Sequence, residues 1–322
     1  MKNKNRSRLV LIGAFALAAA ALIGYLIFDR LFPNNYAPSV TGVPTEAINS
    51  IDARRTAQAQ TKTAAPPGNS YAPVGENPEG IALIAYQAPI SRFGKPQQDA
   101  PLYVSCTEDR LRARERPATV EPTAEATAAA TVEAAGTPAA PDLIRLAIVG
   151  SESEACYQVG EVFAGVGEFR VAVGITRSIG GEIEIDRGNV ANSLVGDIVI
   201  NISEFRSDEG RRDAAIQSRW LETNRYPIAT FANIEAEGLP TRPYIDGETL
   251  SFTLTGELTI REVAVPTTFE ATAALTGDVL VVRAVSDVKM SDWKFDAPNM
   301  AGFVTVDDDM RIVLNLVARV IN

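Results

Sequence analysis

Glu182, Glu184 and Asp186 alternate along one extended segment, so three carboxylates share a face at a spacing where two could divide general acid and general base work. Solvent exposure of that face is the simpler account of the alternation. Asp307, Asp308 and Asp309 could together hold a cation, but three consecutive carboxylates before a strand also read as a turn. Arg211, Arg212 and Asp213 offer charge to a polar head group and equally describe a solvated helix surface, as do Glu204, Arg206, Asp208 and Glu209. The chain has no histidine. That removes Ser/His/Asp and Cys/His nucleophiles and every His-ligated metal site. No catalytic residue and no metal site is therefore expected. Asn201-Ile202-Ser203 fits a glycosylation acceptor pattern but falls inside an expected strand rather than a loop.

Cys106 and Cys156 are too few for a disulfide scaffold and have no metal-ligand spacing. They admit a single bridge in an oxidising compartment, tying the segment before the C-terminal domain to that domain's first strand, or two separate thiols. Both readings stay open. The net charge of -10, with no basic stripe in the C-terminal half, argues against a nucleic-acid partner.

The elements that must position these residues are strands. Leu250, Phe252, Leu254, Leu258 and Ile260 take every second position apart from Gly256, with polar residues between, and Phe269, Ala271, Ala273 and Leu275 resume the alternation after Pro266. A period of two puts one set on one side of a pleated sheet. Ile198, Ile200 and Ile202 alternate in the same way, as do Ile312, Leu314 and Leu316. Strands are expected over 155–163, 169–176, 181–186, 196–205, 228–237, 250–262, 266–276, 279–289 and 309–320, with turns at Gly188, Gly238, Gly247 and Gly277. Residues 208–221 form the one clear helix, acidic at its start. This pattern points to an all-β barrel or sandwich with a single helical insertion.

Upstream, residues 9–28 are an uncharged apolar run preceded by Lys2, Lys4, Arg6 and Arg8. As a helix it matches the bilayer core, and the positive flank predicts a cytoplasmic segment at 1–8 with everything after Asp29 outside the cytoplasm. The run exceeds the usual apolar region of a cleaved signal peptide, so a single-pass cell-membrane anchor is expected, although the small residues Ala18 to Ala21 keep cleavage open. Residues 29–142 are Ala/Thr/Pro-rich and low in complexity, and are expected to be a flexible, disordered tether. Short strands are candidates within it at Ile81–Tyr86 and Pro101–Cys106. The folded domain is expected over 143–322.

Three motifs in this domain resemble the YceI-like family of polyisoprenoid-binding or lipid-binding domains. Arg211 to Phe231 is similar to the family's Arg-Asp pair, helix and Tyr-Pro leading into a strand; Gly256 to Phe269 resembles its GxLTIxGVTxPV hairpin; Ser291 to Phe295 resembles its late Ser-Asp-aromatic turn. The sequence departs from the family at Glu262, where Gly is usual, at Val265, where Lys or Arg is frequent, and at Ala215, where many members carry His.

The resemblance implies an extended antiparallel lipocalin-like β-barrel whose apolar channel holds a polyprenol or isoprenoid quinone. Channel-lining candidates are then Ile198, Ile200, Ile202, Phe231, Leu250, Phe252, Leu254, Leu258, Ile260, Phe269, Ile312, Leu314 and Leu316. Trp220, Tyr226, Trp293 and Phe295 are candidates for the mouth or lid. The expected function is noncatalytic binding of that lipid for storage, transport or protection, with no cofactor beyond the ligand itself and with the membrane contacted through the N-terminal helix. The alternative is a solid barrel displayed at the surface to bind another protein.

Overall fold

The computed structural model describes residues 38, 40–44, 51, 52, 55, 56, 103, 105–107, 142–163, 168–300 and 304–321. The apolar run 9–28 and the candidate strand at Ile81–Tyr86 lie outside the described residues. Among the described residues no helix is long and apolar enough to cross a membrane.

Alternating residues make strands β1 (Leu143–Ile148), β2 (Glu154–Phe163), β3 (Glu168–Thr176), β4 (Ile179–Gly180), β5 (Glu182–Asp186), β6 (Leu194–Val195), β7 (Ile198–Asn201), β8 (Ile228–Glu237), β9 (Thr249–Ile260), β10 (Val263–Thr276), β11 (Val279–Lys289), β12 (Asn299–Met300) and β13 (Val304–Val320). They form one 13-stranded sheet along the path β4, β7, β8, β9, β10, β11, β13, β1, β5, β6, with β2 pairing β13 and β3 pairing β2. The sheet is antiparallel throughout and curls strongly into a half-barrel with one short helix. Both ends of the path meet in one stretch of chain, since β4 pairs β7 while β5, just beyond Gly181, pairs β1.

The β9–β10 hairpin shows how the local chemistry works. Ile260 pairs Val263 across a turn in which Arg261 adopts φ 59°, without the glycine such a backbone favours. An ion pair to Glu222 at 2.5 Å holds Arg261 there. Pro266 lies inside β10, where it pairs Glu257 of β9; β11 pairs β10 only from Glu270 onward, so the missing N–H breaks no ladder bond on that side. Gly277, at φ 56°, closes the tight turn into β11.

Several elements differ from expectation. β1 reads as a short apolar run without alternation and was not expected as a strand. The strand expected over 196–205 stops at Asn201, because the Asn201 side chain accepts from the Ser203 amide (3.0 Å) and hydroxyl (2.7 Å) and turns Ile202–Glu204 into a 3-10 helix. Asp307 to Asp309 form no turn: they sit in β13 at a bulge between Val306 and Met310. There Asp308 accepts from the Ser291 amide at 2.9 Å and Asp309 pairs Lys289 at 2.8 Å. Residues Cys106 and Thr107 are helical rather than extended.

The outside of the sheet carries a second layer, which the tether expectation did not include. Cys106 and Cys156 form a disulfide with Cα atoms 6.6 Å apart, and both are buried with Val173, Val285 and Val313 on the outer face. Further along, Asn201 donates to the carbonyls of Val40 (2.9 Å) and Gly42 (2.7 Å), which buries the acceptor asparagine of the glycosylation pattern. Arg55 and Arg145 both pair Glu184, and Arg145 also pairs Asp52. Glu184 and Asp186 are therefore buried, contrary to the expected solvent exposure.

Candidate ligand-binding site

Inside the curl the inward positions of the strands leave two apolar cavities that share no lining residue. The larger, about 1090 Å³ including its mouth, is here called the lid chamber. The smaller, about 660 Å³ on the same reckoning, is the end chamber. The interior is therefore not solid among the described residues.

The lid chamber takes Ile200, Ile202, Leu258, Ile260, Ile312, Trp220 and Phe295 from the expected set. The end chamber takes Ile198, Leu250, Phe252, Leu254 and Leu316. Phe231, Phe269 and Leu314 line neither. They are fully buried between the two, and position along the strands shows why. On β8 the order is Ala229 in the lid chamber, then Phe231, then Ala236 in the end chamber. On β9 it is Leu258, Gly256, Leu254, and on β13 it is Ile312, Leu314, Leu316. The Phe231 and Phe269 rings meet at 5.0 Å, forming a waist.

Two further candidates also fall outside the cavities. Trp293 is completely buried and donates its indole N–H to the Leu258 carbonyl at 3.0 Å, so it packs a short helix onto the sheet rather than guarding a mouth. Tyr226 lies beside the Arg225 guanidinium, 4.8 Å from the ring centre, outside both cavities.

The lid is short. An α-helix, α1 (Gly210–Ala215), passes into a π-helical turn over Ile216–Trp220, shorter and more irregular than the expected helix over 208–221. Arg212, Ala215 and Ile216, one face at helical spacing, line the chamber together with Trp220. Gln217 ties the lid down by donating to the carbonyls of Ser203 (3.1 Å) and Phe205 (2.7 Å).

Within this apolar lining stands one charged pair. Arg212 grips Glu161 through two bonds, at 2.8 and 3.0 Å, and reaches Asp208 at 2.7 Å. Burial opposes the charge on Arg212, but Glu161 and Asp208 outweigh it and hold the guanidinium charged. Tyr157, on the same wall, is pushed well above the ordinary phenol range by burial and then by the charge of Asp213. Asp213 is itself buried and accepts from the Ser207 amide at 3.0 Å.

Glu161 was not singled out from the sequence. Its signal was a charge in register with the inward residues Ala155, Tyr157 and Val159 of β2, which also line the chamber. The other carboxylates have structural partners. Asp186 accepts from the Gly188 amide at 2.9 Å and the Asn189 amide at 3.1 Å, and Glu184 is held by Arg55 and Arg145. Such an interior can hold a hydrocarbon by area and present one ion pair to a polar end.

Residues 152–318, more than half of the chain, match the model of the YceI-like domain. Among solved structures, BcnA of Burkholderia cenocepacia is 18% identical with a TM-score of 0.41, over 53% of this chain and 98% of that one. A polyisoprenoid binding domain from Saccharophagus degradans, implicated in plant cell wall breakdown, is 12% identical with a TM-score of 0.41, over 56% of this chain and 99% of its own. A mutant CJ YCEI protein made for nanotechnology applications is 20% identical with a TM-score of 0.35, over 42% and 78%. No curated protein matches the chain.

Proposed function

The chain belongs to the YceI-like family, and from that premise we propose that its half-barrel binds a long-chain isoprenoid, a polyprenol or an isoprenoid quinone, without catalysing a reaction on it. The lid chamber carries this reading: an apolar cavity whose wall holds one ion pair, Arg212 with Glu161. Each methylene moved from water into it contributes about 0.8 kcal/mol, so the chain supplies affinity. The ion pair, with Tyr157 beside it, supplies what discrimination there is at the polar end.

Anchored by residues 9–28 in the cell membrane, with the domain outside the cytoplasm, such a carrier exchanges ligand with a local lipid pool instead of searching solution. Storage, transport or protection of the lipid all follow from that placement. The test is extraction of the purified full chain with organic solvent and mass spectrometry of the extract, followed by uptake of polyprenols and quinones by the emptied protein. A recovered or acquired isoprenoid is the expected result. A chain that yields no lipid and takes up neither class overturns the reading, and leaves the protein-binding module as the account to test.

A further inference from the structure

We infer that the waist between the two chambers is a length stop, with Phe231 and Phe269 setting the longest hydrocarbon chain the protein accepts. The inference rests on the lipid-binding reading above and adds to it a specificity-determining pair.

The argument begins with the alternation of the strands. On β9 and β13 one inward position, Gly256 or Leu314, separates the residues of the two chambers, and on β8 Phe231 and, past the bulge at 232–235, the buried Ile234 stand between Ala229 and Ala236. Phe231 of β8 pairs Leu258 of the lid chamber and Phe269 of β10 pairs Leu254 of the end chamber, so the two rings approach each other from opposite sides of β9 at the level of Gly256. What stands at that level decides whether the cavities join. Phe231 and Phe269 are both fully buried, their rings 5.0 Å apart and tilted 59° to one another, and Leu314 is buried beside them. A chain entering under the lid meets this wall before it reaches Leu316 or Leu254.

Gly256 explains how the wall is so complete. A Cβ added there would lie 2.6 Å from the Ala232 carbonyl oxygen and 2.9 Å from the Phe231 ring, so the glycine leaves the ring the space it occupies. The end chamber beyond is apolar and lined by the same sheet, which makes it suitable for hydrocarbon once reached. The paired rings of Phe231 and Phe269 stand between the two sets of lining residues. Removing ring volume there therefore lengthens the usable bore without touching the lid, the ion pair or the mouth.

The test uses the full chain and a ladder of all-trans prenols from farnesol to decaprenol, scoring the longest prenol retained after gel filtration. Phe231→Ala and Phe269→Ala enlarge the opening most. Phe231→Leu and Phe269→Leu keep more of the core should the alanine variants not fold, and a cooperative thermal transition certifies each protein. The expected result is a shift of the length cut-off to longer prenols in every folded variant, with the short prenols bound as in the parent. An unchanged cut-off in folded variants that still bind prenols overturns the length stop and leaves the lipid-binding reading intact. If the parent protein itself binds no prenol at any length, the lipid-binding reading fails and the length stop falls with it.

Discussion

The two chambers are cut from one sheet yet closed by different materials. The end chamber is lined by strand side chains and by Tyr244, whose hydroxyl accepts from the Leu275 amide at 2.7 Å and lies 2.9 Å from the Glu248 carbonyl. The lid chamber is shut by a short helix, a π-helical turn and the adaptable side chains of Met290 and Met310, with an ion pair in its wall. Gln217 anchors that lid through its amide N–H group while its side-chain oxygen has no partner. The contrast assigns the chambers separate tasks. Strand side chains make an apolar end, whereas the irregular lid brings polarity to the other, and π-helical turns of this kind are frequent at functional sites.

The sharpest way to break that contrast is to remove the charge that only the lid chamber has. Arg212→Met leaves Glu161 buried without its partner, and breaking a buried pair from one side costs about 3–5 kcal/mol. The expected outcome is a large fall in the urea midpoint. Adding Glu161→Leu to the same protein should restore most of it, because two apolar side chains leave no stranded charge. An Arg212→Met midpoint equal to the parent's would mean that water solvates Glu161, and the chamber would then be open rather than lidded.

This pair also marks the limit of what could be read ahead of the structure. The Leu250–Leu275 hairpin was legible because a period of two decides the face of each residue, and Leu254 and Leu258 duly point inward. Parity says nothing about depth along the bore. Phe231, Phe269 and Leu314 were thus legible as inward but not as a wall, and Trp293 was legible as a mouth or lid candidate in a late turn but not as a hydrogen-bonded core residue. The outer face was hidden for a different reason. Glu184 looks like a solvated strand residue until Arg55, 129 positions earlier, is brought to it. Arg212 and Glu161 stand 51 residues apart, and no local pattern announces such a pairing.

A smaller effect sharpens the division of labour between the chambers. Ala229 lines the lid chamber and Ala273 the end chamber, and each is buried against free volume. Replacing either by Leu fills its cavity with three additional carbons. If the ligand chain occupies the lid chamber, Ala229→Leu should displace methylenes at about 0.8 kcal/mol each, for a loss of about 2 kcal/mol or roughly thirty-fold in prenol affinity. Ala273→Leu should cost several-fold less. Equal losses, measured by titration of the purified variants with a short prenol, would place the chain across the waist and count against both the separate tasks and the length stop.

The smallest effect appears only in alkali and compares one tyrosine from each chamber. Tyr157 is pushed far up by burial and by Asp213, whereas for Tyr244 burial and the nearby Glu248 act upward but its hydrogen bonds to the Leu275 and Gly247 backbone pull the other way. A phenol whose folded pKa lies above its unfolded value of about 10 contributes stability that is fully present below that pH, and is lost as pH rises toward the folded value. At neutral pH both phenols are un-ionised in the folded and unfolded chain alike, so stability does not vary with pH by this route. Above pH about 10 the unfolded chain ionises first, and each further pH unit removes up to about 1.4 kcal/mol for a group still neutral in the fold. Tyr157→Phe should therefore flatten the alkaline limb of a stability–pH curve more than Tyr244→Phe does, with little change at neutral pH. Equal flattening would mean that the lid chamber wall is as wet as the loop around Tyr244, and the dry cavity on which lipid binding depends would have to be abandoned.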